Sequence, residues 1–156
     1  MSITFRPVGP DDEPFLLKVY GSMRAEELAA VPWTEAQREA FLRMQLNAQH
    51  HHYGQTFPDG QFLIILDDER AVGRLYAARL KDQIRIIDIT ILPEERGRGR
   101  GTLILRDLMA EAARAKKPLR IYVESFNPSL KLFERLGFSK IEEEGFHLLM
   151  EWREGA

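Results

Sequence analysis

Three apolar runs follow one another in the middle of the chain, Phe62–Leu66, Ala71–Leu80 and Ile84–Leu92, separated only by the polar turns Asp67–Arg70 and Lys81–Gln83. Turns this short leave no room for a crossover helix, so the three strands must form an antiparallel meander. A purely parallel, doubly wound sheet is thereby excluded. Around the meander the period changes. Ile3 to Arg6 alternates apolar and polar residues and reads as a short strand, and Asp11 stands ready as an N-cap for a helix carrying Phe15, Leu16, Val19, Tyr20 and Met23 at helical spacing. Pro32 interrupts. Thr34 with Gln37 three residues on forms a capping box and opens a second helix to about His50. Past the meander, Ile104, Leu105, Leu108, Met109 and Ala112 define an amphipathic helix that Pro118 closes, and Leu119, Ile121 and Val123 mark a half-buried strand. Asn127 reads as the N-cap and Pro128 as the first residue of a helix striped by Leu130, Phe133 and Leu136 and stopped by Gly137. Phe138–Glu143 and Phe146–Trp152 close the chain as a strand pair. The expected class is α/β, with a mixed, mostly antiparallel central sheet flanked by helices.

Composition narrows the function. The 156 residues suit one domain, 1–156, large enough to bury a core without staples. There are 22 basic and 24 acidic residues, a net charge of −2, so no global basic field exists to hold nucleic acid or an anionic membrane. Cysteine is absent, which removes disulfides, Cys-ligated metals and a Cys nucleophile. The longest unbroken apolar run, Phe62–Leu66, is too short to cross a bilayer, and residues 1–10 lack a signal-type stretch. The expectation is a cytoplasmic protein with no nucleic-acid or membrane partner.

The chemistry-bearing stretch is Arg96-Gly97-Arg98-Gly99-Arg100-Gly101, between a strand and a helix. Glycines let backbone N–H groups come close to a ligand, a helix N-terminus adds unpaired donors and partial positive charge, and arginines add phosphate contacts. Together these make a diphosphate cradle. A P-loop is absent, because no Gly-Lys-Ser/Thr follows. A dinucleotide loop fits at Gly97 and Gly99 but has Thr102 in the third position, and its strand belongs to a meander. Glu124 would then stand for the ribose-binding acid. The pattern Arg-x-x-Gly-x-Gly fits at Arg96, Gly99 and Gly101.

With Ile89-Thr90-Ile91-Leu92-Pro93-Glu94-Glu95 leading into that pattern, and Asn127-Pro128-Ser129-Leu130-Lys131-Leu132-Phe133-Glu134-Arg135-Leu136-Gly137-Phe138 after it, the chain resembles the GNAT superfamily of acyl-CoA-dependent N-acyltransferases. The resemblance covers nearly the whole chain, and the two motifs in order are more specific than either alone. It implies that the backbone of Ile89, Thr90 and Ile91 pairs with the pantetheine arm, and that amides from Arg96, Gly97, Arg98, Gly99, Arg100, Gly101 and Thr102 hold the diphosphate. Asn127 would bond pantetheine or help set the splay between the central strands. Acetyl-CoA would be the cosubstrate, a small amine or peptide amine the acceptor, no metal would be needed, and a homodimer is the assembly it suggests. One position departs: where the family usually has a Tyr that protonates or hydrogen-bonds the leaving thiolate, this chain has Phe133, whose ring is expected to pack partly against the core with its edge toward the sulfur. Ser129 or Tyr122 would have to substitute. A noncatalytic acyl-CoA-binding regulatory domain is the alternative, and nucleotide-dependent redox chemistry a third reading.

Transfer needs a neutral amine, so a base or water must take a proton. Asp88, amid Ile86, Ile87, Ile89 and Ile91, and Glu124, on the face of Tyr122, are the candidates; each has an ordinary structural reading as well. Arg24, Glu26, Glu27 and Trp33 lie where the family shapes its acceptor pocket, or simply pack two helices. His50-His51-His52 lacks metal-ligand spacing and reads as a solvated helix end. His147 borders the site or is plain surface. Glu142–Glu144 reads as a solvated turn.

Overall fold

The computed structural model describes residues 1–155. The order is β1 (Ile3–Pro7), α1 (Glu13–Ala29), α2 (Glu35–Thr56), β2 (Gln61–Asp67), β3 (Arg70–Arg79), β4 (Ile84–Ile91), α3 (Arg100–Ala115), β5 (Leu119–Glu124), α4 (Leu130–Arg135), β6 (Ser139–Glu144) and β7 (His147–Trp152), with 3-10 turns at Pro10–Asp12 and Pro93–Glu95. Among the described residues the strands form one seven-stranded sheet, β1-β2-β3-β4-β5-β7-β6. β4 and β5 run parallel, whereas β1–β2, β5–β7 and β6–β7 are antiparallel. This is the mixed, mostly antiparallel sheet that the meander requires.

The residues group into two compact units. The first holds residues 1–74 with Thr90–Glu95, the second Leu75–Ile89 with the chain from Arg96 on. In the first, β1 pairs with β2 from Ile3↔Asp67 to Pro7↔Leu63. Leu16, Val19 and Tyr20 of α1, Leu46 of α2, Ile64 and Ile65 of β2 and Val72 of β3 are buried there. In the second, α3 buries Ile104, Leu105, Leu108 and Ala112, and β5 buries Leu119, Ile121 and Val123. Apolar residues at helical spacing on α3 and alternate positions on β5 are what make these two elements a layer pair.

Several local expectations are corrected. Asp12 rather than Asp11 stands at the N-cap of α1, and its carboxylate accepts from the Gly9 N–H at 2.7 Å and from both Arg6 guanidinium nitrogens at 2.8 Å. The second helix runs past His50 to Thr56, because nothing breaks its ladder before Pro58; Phe57 N–H still reaches the Tyr53 carbonyl at 2.8 Å. His50–His52 therefore lie inside a helix and not at its end. Thr34 and Gln37 do form the expected capping box, with bonds of 3.1 and 2.8 Å. The Glu142–Glu144 run belongs to strand β6, all of it exposed, and the turn falls at Gly145 (φ 60°).

Candidate functional site

The Gly-Arg segment leaves the 3-10 turn Pro93–Glu95 and enters α3 at Gly99. Gly97 (φ 81°) and Gly99 (φ 78°) both lie in the left-handed region, which a side chain adopts only with strain. A Cβ at Gly97, Gly99 or Gly101 would meet no atom within 4 Å, so the space before the loop is open. Leu103 N–H is bonded to the Gly99 carbonyl at 3.0 Å. Gly101 and Thr102 precede it within the first turn, where a helix cannot satisfy its own N–H groups. Open space in front of amides at a helix start suits a diphosphate. The arginines divide. Arg96 and Arg98 are exposed, but Arg100 is buried, 4% exposed, so its guanidinium is not one of the mobile surface contacts expected of it.

In the same unit β4 and β5 pair only from Ile84↔Leu119 to Ile86↔Ile121 among the described residues. Beyond that point Ile87, Asp88 and Ile89 on one strand and Tyr122, Val123 and Glu124 on the other are no longer in register contact. Partners in register share a face, and successive residues alternate. Arg85 therefore shares a face with Tyr122, and its guanidinium sits 4.4 Å over that ring. By the same alternation Glu124 lies on the Arg85–Tyr122 face and Asp88 on the face of Ile84 and Ile86. The two candidate bases are not brought together. Asp88 is half-buried, whereas Glu124 is exposed at the end of β5, opposite His147 of β7, which in turn pairs with Glu144 of β6.

Asn127 does not cap a helix directly. Its side-chain oxygen accepts from the Ser129 N–H at 2.9 Å and the Ser129 hydroxyl at 2.7 Å, and its carbonyl accepts from Leu130 N–H at 3.0 Å. That closed turn takes up Pro128 and delays α4 to Leu130, with Ser129 at its N-cap. Phe133 is 2% exposed, and its ring packs edge-on against Phe138 at 5.3 Å. The ring packs against the core of this unit, as expected of the helix stripe. Tyr122, 45% exposed, keeps its hydroxyl-bearing ring at the surface.

The first unit carries Thr90 and Ile91, the end of β4. Thr90 is buried, and its hydroxyl donates to the Met23 sulfur at 3.5 Å. Leu92 N–H donates to the Val72 carbonyl at 2.9 Å. The turn that follows is anchored by Lys18–Glu94 at 3.0 Å and by Arg70 on both Glu95 oxygens at 2.8 and 2.9 Å. Sequence reasoning passes over Gly73, whose Cβ, if it had one, would lie 2.2 Å from the Thr90 carbonyl oxygen. The signal was present: a lone Gly inside a strand pattern marks close backbone approach. Of the acceptor-region candidates, Arg24 bonds Glu27 and the Tyr20 hydroxyl (2.9 Å), Glu26 is exposed, and Trp33 packs on Phe41 at 5.2 Å. No group of three His, Cys, Asp or Glu side chains able to hold a metal occurs among the described residues.

The profile of the acetyltransferase (GNAT) family matches residues 23–138. No curated protein sequence matches the chain. Among solved structures, a PaiA N-acetyltransferase from Thermoplasma acidophilum in complex with coenzyme A is similar at TM-score 0.72 and 19% identity, over 98% of this chain and 99% of that one. The ribosomal-protein-S18-alanine N-acetyltransferase of Escherichia coli is similar at 0.64 and 15%, over 97% and 94%. A GNAT-family acetyltransferase from Elizabethkingia anophelis with acetyl-CoA bound is similar at 0.58 and 17%, over 97% of each chain.

Proposed function

The chain belongs to the acetyltransferase (GNAT) family, and from that premise we propose that it moves an acetyl group from acetyl-CoA directly to the amine of a small molecule or peptide. The observation that carries the cosubstrate is the Gly97–Gly101 loop: open space in front of glycine amides at the start of α3, with Arg96 and Arg98 at the surface. On this reading amides from Arg96 to Thr102 bind the diphosphate, and the buried Arg100 takes part through its backbone alone. The backbone of Ile89, Thr90 and Ile91 lines the pantetheine arm, and a donor near Ile91 meets the charge that develops on the thioester oxygen.

Chemically the step is simple. The amine nitrogen attacks the thioester carbon, a C–N bond forms, the C–S bond breaks, and the electron pair leaves on sulfur. The proton lost by the amine goes to water, Asp88 or Glu124; because these carboxylates occupy opposite faces, only one of them faces the amine. The proton that the thiolate takes up does not come from Phe133, which is buried and has no hydroxyl. Ser129, Tyr122 or water supplies it. A thiol titrates near pH 8.5, so its thiolate leaves acceptably without a dedicated acid. We propose that residues 1–156 act as a single domain, in keeping with the end-to-end match to related folds. We further propose a cytoplasmic homodimer, and no nucleic-acid or anionic-membrane partner, the last supported by a net charge of −2.

Phe133 favours a second reading, a noncatalytic acyl-CoA-binding domain. Incubation with acetyl-CoA and a panel of polyamines, amino acids, aminoglycosides and peptides separates the two. Mass spectrometry should find an acetylated amine formed in proportion to enzyme. Acetyl-CoA binding with no product from any acceptor would establish the noncatalytic reading.

A further inference from the structure

We propose that Gly73 is a positioning residue for acyl transfer, setting the backbone of Thr90 and Ile91 through the absence of its own side chain. This rests on the assignment of that backbone to the acyl-pantetheine arm.

The steric case is direct. An ideal Cβ at Gly73 would stand 2.2 Å from the Thr90 carbonyl oxygen, 3.0 Å from Ile91 Cα and 3.1 Å from the Thr90 carbonyl carbon. All three are backbone atoms, and none can swing aside like a side-chain tip. Gly73 needs no glycine for its own dihedral angles, since its φ is not positive. It is required solely by what approaches it. Other contacts hold the approaching segment in place. One residue along β3, the Val72 carbonyl accepts from Leu92 N–H at 2.9 Å, just beyond Ile91. From α1, the Met23 sulfur accepts from the Thr90 hydroxyl at 3.5 Å. Fully buried strand residues flank the glycine: Val72 is 0% exposed, and so is Arg74.

A methyl group at position 73 must therefore move the Thr90–Ile91 backbone, the strand carrying it, or both. Such a shift displaces the groups that face the thioester. The amides of the Arg96–Thr102 loop, assigned above to the diphosphate, are not among the atoms that a side chain at position 73 would meet. Chemistry should suffer more than cosubstrate binding, because catalysis depends on sub-ångström placement and a displacement of about 1 Å costs on the order of a hundredfold.

The test compares Gly73→Ala with Ile64→Ala, which opens a cavity in the same unit's β2 strand and lowers stability without touching β4. In Gly73→Ala, kcat should fall about tenfold to a hundredfold, while calorimetric affinity for CoA falls by a clearly smaller factor, because the diphosphate loop still holds the cosubstrate. Ile64→Ala should melt lower yet keep its kcat. Equal kcat in the two variants would overturn the proposal. Should Gly73→Ala fail to fold, amide spectra of the labelled wild-type protein decide the matter. The amides of Gly73, Thr90, Ile91 and Leu92 should differ between the acetyl-CoA and CoA complexes, and identical shifts would overturn it. A wild-type protein that neither binds acetyl-CoA nor turns it over would instead defeat the acetyltransferase assignment itself.

Discussion

Phe133 is the position at which the sequence departs from the motif it resembles, and the ring has a packing role of its own. The ring is buried against Phe138 and completes the packing of α4 on the start of the last strand pair. Phe133→Tyr would place a hydroxyl at the tip of a buried ring. It should cost about 1–3 kcal/mol of stability and bring no gain in kcat, as a melting curve and steady-state kinetics would show; a faster enzyme of unchanged stability would put the ring beside the thiol after all. The two carboxylates pose a similar question one residue at a time. Asp88→Asn and Glu124→Gln should act unequally, because their faces oppose each other. One variant should lose the acidic limb of its kcat/KM profile and at least about tenfold in rate, while the other keeps both. Equal profiles in both variants would leave the proton to water.

Among the elements, the 3-10 turn Pro10–Asp12 that leads into α1 shows most plainly how a few polar atoms fix a start. Arg6 at the end of β1 grips the Asp12 carboxylate with two nitrogens, and the Gly9 N–H adds a third bond. The Arg6 hydrogen bonds hold the Asp12 carboxyl below the usual carboxylate range, against the opposing effect of burial. A carboxyl with a lowered pKa in the folded state stabilises above its ordinary range and ceases to do so as pH falls through its folded value. Asp12→Asn should therefore cost about 1–3 kcal/mol at pH 7, and the gap from wild type should close below about pH 4, as urea melts at the two pH values would show. Asp11 and Asp12 look alike in sequence; only the reach of Arg6 distinguishes them. Asn127 misled for a related reason. Its side chain bonds two residues ahead, so the chain turns once before helix begins, and cap propensity alone does not reveal that competition. The His run misled because a weak apolar face suggests an early end, yet α2 continues for want of a breaker.

Across the whole molecule the order of elements and the mixed sheet were legible, because the short turns around Asp67–Arg70 and Lys81–Gln83 leave the chain few alternatives. The Gly-Arg loop was legible for the same kind of reason: glycines at Gly97 and Gly99 are demanded by left-handed backbone that few other residues accept. What stayed hidden depends on neighbours distant in sequence. Gly73 matters only through Thr90, Arg100 proves buried only once α3 is packed, and the opposite faces of Asp88 and Glu124 follow only from the β4–β5 register. The central claim is that an acetyl-CoA-dependent transferase operates through the Gly97–Gly101 cradle. It is tested most directly by amine-dependent thiol release from acetyl-CoA, measured in parallel for the wild type and Gly99→Val. Valine at φ 78° carries about 1–2 kcal/mol of backbone strain and its Cβ meets no protein atom within 4 Å, so the variant should still fold while its branches crowd the cradle. The account predicts steady thiol release by the wild type and a loss of at least about tenfold in acetyl-CoA affinity for the folded variant; a folded Gly99→Val that binds acetyl-CoA and releases thiol as well as the wild type would contradict it.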